Sequence, residues 1–136
     1  MKRLISLLLF IFLISFGCES ELDKIPDGVY SGTFQRQLAF GGGEIANVTI
    51  TFSSNSWNGH SDKPNYPSLC QGTYEIQKKK IIFANLCKFT ADFDWTLILS
   101  GEYDFTINDK QLEIVRSDLG PATDTWTDKY TLIKQE

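Results

Sequence analysis

The strongest constraint on the fold is a two-residue period that runs from Val29 to Ile133. In Val29–Phe40, Tyr30, Gly32, Phe34, Leu38 and Phe40 share one face, while Ser31, Thr33, Gln35 and Gln37 share the other. Arg36 interrupts the apolar face, as a residue at a sheet rim would. Ile45–Ser53 repeats the pattern with Val48, Ile50 and Phe52, and Cys70–Gln77 with Gly72, Tyr74 and Ile76. Trp95–Ile107 is the longest run, with Leu97, Leu99, Gly101, Tyr103, Phe105 and Ile107 in register. Shorter strands are expected over Trp57–Ser61, Ile81–Ala84, Gln111–Arg116 and Trp126–Ile133. Successive strand side chains point to opposite faces, so this period calls for a sheet with one buried face.

The connections agree with that reading. Ser54-Asn55, Lys78-Lys79-Lys80 and Asn108-Asp109-Lys110 read as hairpin turns, and Gly41-Gly42-Gly43 as a turn or mobile loop. Pro64 and Pro67 mark a loop, as does the Gly-Pro stretch within Ser117–Thr125. Residues 28–136 therefore hold about eight sequential strands joined by short connections. The expected fold is all-β: an eight-stranded antiparallel up-and-down barrel, with a two-sheet sandwich as the other packing the pattern permits. Closure also removes edge strands that would otherwise template aggregation.

Residues before the barrel follow another logic. Lys2 and Arg3 precede an uncharged stretch, Leu4–Phe16, made only of Leu, Ile, Phe and Ser. As a helix it reaches about 20 Å, short of a bilayer core of about 30 Å. A basic start, a short apolar core and a small residue beyond it read as a secretory signal. Residues 18–27 form an acidic, aperiodic tether that ends at Pro26-Asp27.

Ser15-Phe16-Gly17-Cys18 resembles the lipobox of Gram-negative bacterial lipoproteins, with Phe16 bulkier than usual and Ser15 where Leu is more common. The resemblance implies cleavage after residue 17, diacylglyceryl and acyl chains on Cys18, and a membrane anchor. Two or more chains give stable anchoring. Glu19 after that cysteine, where Asp is absent, implies passage to the outer membrane, facing the periplasm or the surface.

With Cys18 set aside, Cys70 and Cys87 remain of three cysteines. In an oxidising compartment they form a disulfide or stay as two buried thiols, the disulfide being the expectation. Two thiols and a single histidine supply no metal-ligand pattern, so no metal or other cofactor is expected. Losing Lys2 and Arg3 with the signal takes the formal charge from −4 to −6. An acidic chain with no basic cluster beyond one lysine turn argues against nucleic acid.

No catalytic set assembles along the chain. His60 lies in Trp57-Asn58-Gly59-His60-Ser61-Asp62, where Asp62 has the position to orient it, and an exposed histidine is the plainer reading. Asp92 and Asp94, with Glu102 and Asp104 beyond, suggest paired carboxylates for glycoside hydrolysis or solvated loop acids. Trp57, Trp95 and Trp126 suit either a sugar or lipid site or ordinary barrel packing.

Asp27-Gly28-Val29-Tyr30-Ser31-Gly32-Thr33-Phe34 resembles the opening strand of small lipocalin-like domains of bacterial lipoproteins. Cys70-Gln71-Gly72-Thr73-Tyr74, and Asp92-Phe93-Asp94-Trp95-Thr96 with Gly101-Glu102-Tyr103, resemble later parts of the same domains. The Gly-x-Trp that marks the first strand of true lipocalins is absent, with Tyr30 in the nearest place. The resemblance implies a binding barrel without a particular activity. The expected function is a membrane-anchored envelope module for a small apolar or amphipathic ligand, lined by Tyr30, Phe34, Phe52, Tyr74, Tyr103 and Phe105. The alternative is a structural or protein-interaction lipoprotein with a filled core that acts through its loops.

Overall fold

A computed structural model of the chain describes residues 22–90, 92–120 and 125–136. The expected signal (1–17) and the expected lipid site at Cys18 lie outside the described residues. Eight strands follow in order: β1 (Gly28–Leu38), β2 (Gly41–Ser53), β3 (Ser56–Ser61), β4 (Gln71–Gln77), β5 (Lys80–Asn85), β6 (Gly101–Asn108), β7 (Gln111–Asp118) and β8 (Trp126–Lys134). Each pairs antiparallel with the next, and β8 returns to β1, closing the barrel.

The period-two pattern is fulfilled where residues face the interior. Tyr30 and Phe34 from β1, Val48, Ile50 and Phe52 from β2, and Tyr130 and Leu132 from β8 are buried. Gly32 and Gly72 sit on the same inward register and are needed there for room. A Cβ at Gly32 would strike the Thr131 carbonyl, and one at Gly72 the Ala84 carbonyl.

Three local expectations change. The β1–β2 reversal falls at Ala39-Phe40, and the three glycines Gly41-Gly42-Gly43 open β2 instead of forming the turn. Leu38 and Phe40 consequently lie beyond the packed interior and are exposed. The run from Trp95 is not one strand: Trp95–Leu97 is a 3-10 turn, and β6 starts only at Gly101. Asp94 caps that turn by accepting from the Thr96 N–H at 3.0 Å, and Gly101 at φ +87° bends the chain into β6.

The two barrel ends differ. At one end lie three two-residue turns, Ser54-Asn55, Lys78-Lys79 and Asp109-Lys110, whose first residues all adopt positive φ. The N-terminal segment seals this end. Ile25 is fully buried, its N–H donates to the Tyr74 hydroxyl (3.1 Å), and the Tyr30 hydroxyl donates to the Pro26 carbonyl (2.9 Å). The opposite end carries the longer connections, 62–70, 86–100 and 119–125. Cys70 and Cys87 are disulfide-bonded there, tying the start of β4 to the connection after β5.

Closing a loop of sequence separation 17 limits the unfolded chain, by about 3 kcal/mol on the chain-entropy view. Cys70→Ser is expected to lower stability to urea by about that amount under oxidising conditions and to have no effect in reductant; equal losses in both would contradict it. A second prediction concerns alkali. Burial holds the phenols of Tyr30, Tyr74, Tyr103 and Tyr130 above the ordinary tyrosine value, with nearby acids adding to the effect. Their contribution is complete below about pH 10, where the unfolded phenols are neutral, and is lost as pH climbs past it. Tyrosinate absorbance from Tyr103 and Tyr130, the most strongly held, should therefore appear together with loss of the sheet signal, and ionisation of these two with an intact sheet would refute it.

Candidate functional site

Arg36, Asp128 and Arg116 form one inward-facing row across β1, β8 and β7. Arg36 is directly opposite Asp128 in the β1–β8 ladder, and Asp128 is opposite Arg116 in the β7–β8 ladder. Arg36 is therefore not at an exposed rim: it is 5% exposed, and Asp128 1%. Arg36 grips Asp128 with two bonds, Nε to Oδ1 at 2.6 Å and Nη2 to Oδ2 at 2.7 Å. This is the fork geometry for which guanidinium suits carboxylate. Arg116 approaches the same carboxylate at 3.4 Å.

The row reaches upward to the 86–100 connection. Arg36 Nη1 donates to Asp94 at 2.8 Å and to the Thr96 hydroxyl at 2.7 Å. Arg116 donates to the carbonyls of Ser100 (2.8 Å) and Thr96 (2.6 Å). Burial alone would pull the Arg36 guanidinium down, but the bond and charge of Asp128, with Asp94 beyond, hold it above its ordinary value. Burial would raise Asp94, yet the Thr96 bonds and Arg36 hold its carboxyl below the usual range.

Trp126 stands one layer further out, opposite Leu38 on β1 and Asp118 on β7. Its ring carries the Arg36 guanidinium at 4.0 Å and that of Arg116 at 5.1 Å. This indole is a shared wall between two open clefts. One, of about 740 Å³, is lined by Trp95, Arg116, Asp118, Leu119 and Trp126 among others. The other, of about 550 Å³, lies toward the β1–β2 reversal and is lined by Arg36, Phe40, Asp94 and Trp126 among others. Trp95 is 58% exposed and Leu119 86%, so apolar surface stands open around the first cleft.

The six aromatic residues expected to line a ligand lie elsewhere. Tyr30, Phe34, Phe52, Tyr74 and Tyr103 are buried, and Phe105 packs half-buried against them. Rings meet at close range: Phe34–Tyr130 at 4.7 Å, Phe52–Tyr74 at 5.2 Å and Phe83–Tyr103 at 5.7 Å. None of the six lines either cleft. Trp57 is also in the core, meeting Phe83 edge to face.

The scattered acids and the histidine do not come together. Asp62 bonds the N–H and side-chain amide of Asn47 and does not orient His60 through a hydrogen bond. Glu102 and Asp104 both pair with Lys80, while Asp94 belongs to the Arg36 cluster. Among the described residues no group of three or more His, Cys, Asp or Glu could hold a metal ion. No family model, curated protein or solved structure matches the chain.

Sequence patterning draws attention to Trp95, Trp126 and Asp94 but passes over Arg116 and Asp128. The signal was present in the register: Arg116 continues Leu112 and Ile114, and Asp128 sits between Trp126 and Tyr130. Charges of opposite sign on inward positions of three strands have to find one another. Arg36→Ala would leave Asp128 buried without its main partner, at a cost of about 3–5 kcal/mol in urea denaturation. Arg36→Met combined with Asp128→Leu should restore most of that loss. A double variant as unstable as the single one would show that the pair does more than cancel its own burial.

Proposed function

We propose that this chain is an exported lipoprotein, held to the outer membrane through lipid on Cys18, whose filled barrel is a rigid scaffold for binding at the long-loop end. The observation that carries this reading is the opposite character of the two barrel ends. The chain enters beside the short turns, where Ile25 and the Tyr30 and Tyr74 hydroxyls seal the interior. A tether arriving there leaves the other end, with its clefts and exposed Trp95, Leu119 and Phe40, directed away from the membrane. Exposed apolar surface around a concave site is the usual mark of recognition.

What supports a rim site over an interior one is the ring-on-ring packing of Phe34, Phe52, Tyr74, Phe83 and Tyr103, which occupies the space a lipocalin ligand would take. The ligand remains a small amphipathic molecule. Trp95, Trp126 and Leu119 offer apolar contact, and Arg116, Asp118 and the neighbouring serines polar contact.

Two measurements test the reading. The full chain, expressed in a Gram-negative host fed a labelled fatty acid, should carry label and stay with the membranes, and Cys18→Ser should lose both. An unlabelled wild-type chain would remove the anchor. Native mass spectrometry of the chain extracted from those membranes should show a retained small molecule that Leu119→Asp releases and Lys79→Ala, at the sealed end, does not. Retention unaffected by Leu119→Asp would place binding elsewhere.

A further inference from the structure

We infer that the larger cleft takes a neutral saccharide, stacked against the exposed Trp95 and hydrogen-bonded to Asp118. This rests on the long-loop end being the binding end and names the chemistry of its ligand. Four features of the cleft select that chemistry.

Its volume, about 740 Å³, lies in the range of small-ligand sites, about 300–1,000 Å³. Its walls join indole surface to the Ser100 hydroxyl and the Asp118 carboxylate, while the Ser117 hydroxyl pairs with Thr127. A purely apolar ligand would strip water from Asp118 and Ser100 without replacing their hydrogen bonds, which is costly. The Asp118 carboxylate has no hydrogen-bond or ion-pair partner among the described residues, so its acceptor positions are available to ligand hydroxyls.

Anions and cations are both poorly served. The terminal nitrogens of Arg116 already donate to the Ser100 and Thr96 carbonyls and approach Asp128. Nη2 is fully used, and Nε, which has no partner among the described residues, is buried away from the cleft, so no free fork faces a phosphate or carboxylate, which Asp118 would also repel. A cation would meet an indole, Trp126, that already faces two guanidinium groups. What remains is an uncharged ring with one apolar face and hydroxyls at its edge. A sugar pyranose has both.

The test is titration of the full chain, purified in detergent, with soluble cello-, malto- and N-acetylchito-oligosaccharides, followed by tryptophan fluorescence and calorimetry. The expected result is saturable binding of at least one series with Kd below about 1 mM. Trp95→Ala and Asp118→Asn should each weaken it about tenfold or more, through lost stacking and a lost charge-assisted bond. Trp95→Phe should recover much of the affinity. Both positions are exposed, and thermal melts of the variants should match the parent; were Trp95→Ala to unfold, Asp118→Asn alone would decide. No binding in any series, or binding indifferent to Asp118→Asn, overturns the saccharide. The mass-spectrometric experiment asks only whether some molecule is held at this end, so it fails or succeeds independently of the ligand's class.

Discussion

The barrel closes between its first and last strands, and the fork between Arg36 and Asp128 lies on that seam. Removing two charges from water costs several kcal/mol per ion, which their attraction roughly offsets when the geometry is good. The pair is therefore better understood as a device of register than as a source of net stability. A slip of one residue between β1 and β8 would set Arg36 against Thr127 or Lys129 and aim Asp128 outward. The apolar interior supplies the driving force for collapse, and the ion pair favours the register that the inward alternation of β1 and β8 already sets.

The same guanidinium also organises the rim. Because Arg36 reaches Asp94 and Thr96, the connection after β5 is drawn over the barrel mouth and does not trail into solvent. Ser68 holds the connection from the other side, accepting from the Leu99 N–H and donating to the Leu97 carbonyl. Leu99 then fills the mouth beneath, fully buried. With the disulfide at Cys87 and the Arg116 bonds to Ser100 and Thr96, the described residues of the long connection are attached at four places. A rim so fixed holds Trp95 and Trp126 in set positions; were the proposed ligand to bind there, little ordering entropy would oppose it.

Barrel ends built so unequally have a simple origin. Two-residue reversals with positive φ match the strand twist and leave no side chains to spare. Longer connections carry groups that no strand constrains, and recognition residues gather on them. Here Arg36 and Arg116 of the polar row lie against Trp126, and each lines one of the two clefts.

Strand number, inward residues such as Tyr30, Phe52, Tyr74 and Ile114, and the short turns were all legible from residue order, because side-chain alternation and turn chemistry are local properties. The Cys70–Cys87 disulfide was the expectation once the lipobox resemblance set Cys18 aside, with two free thiols as the alternative, and the structure has the bond. The fate of Arg36 was not, since a charge on an apolar face reads as a rim residue until its partner, ninety-two positions away, is brought beside it. Nor was the break before β6, where a cap at Asp94 and a bend at Gly101 override an apolar alternation that continues through Leu97 and Leu99. Most of all, alternation tells which side chains point inward but not whether they leave a space. That depends on how rings from non-adjacent positions meet, and only the closed barrel decided that they meet each other.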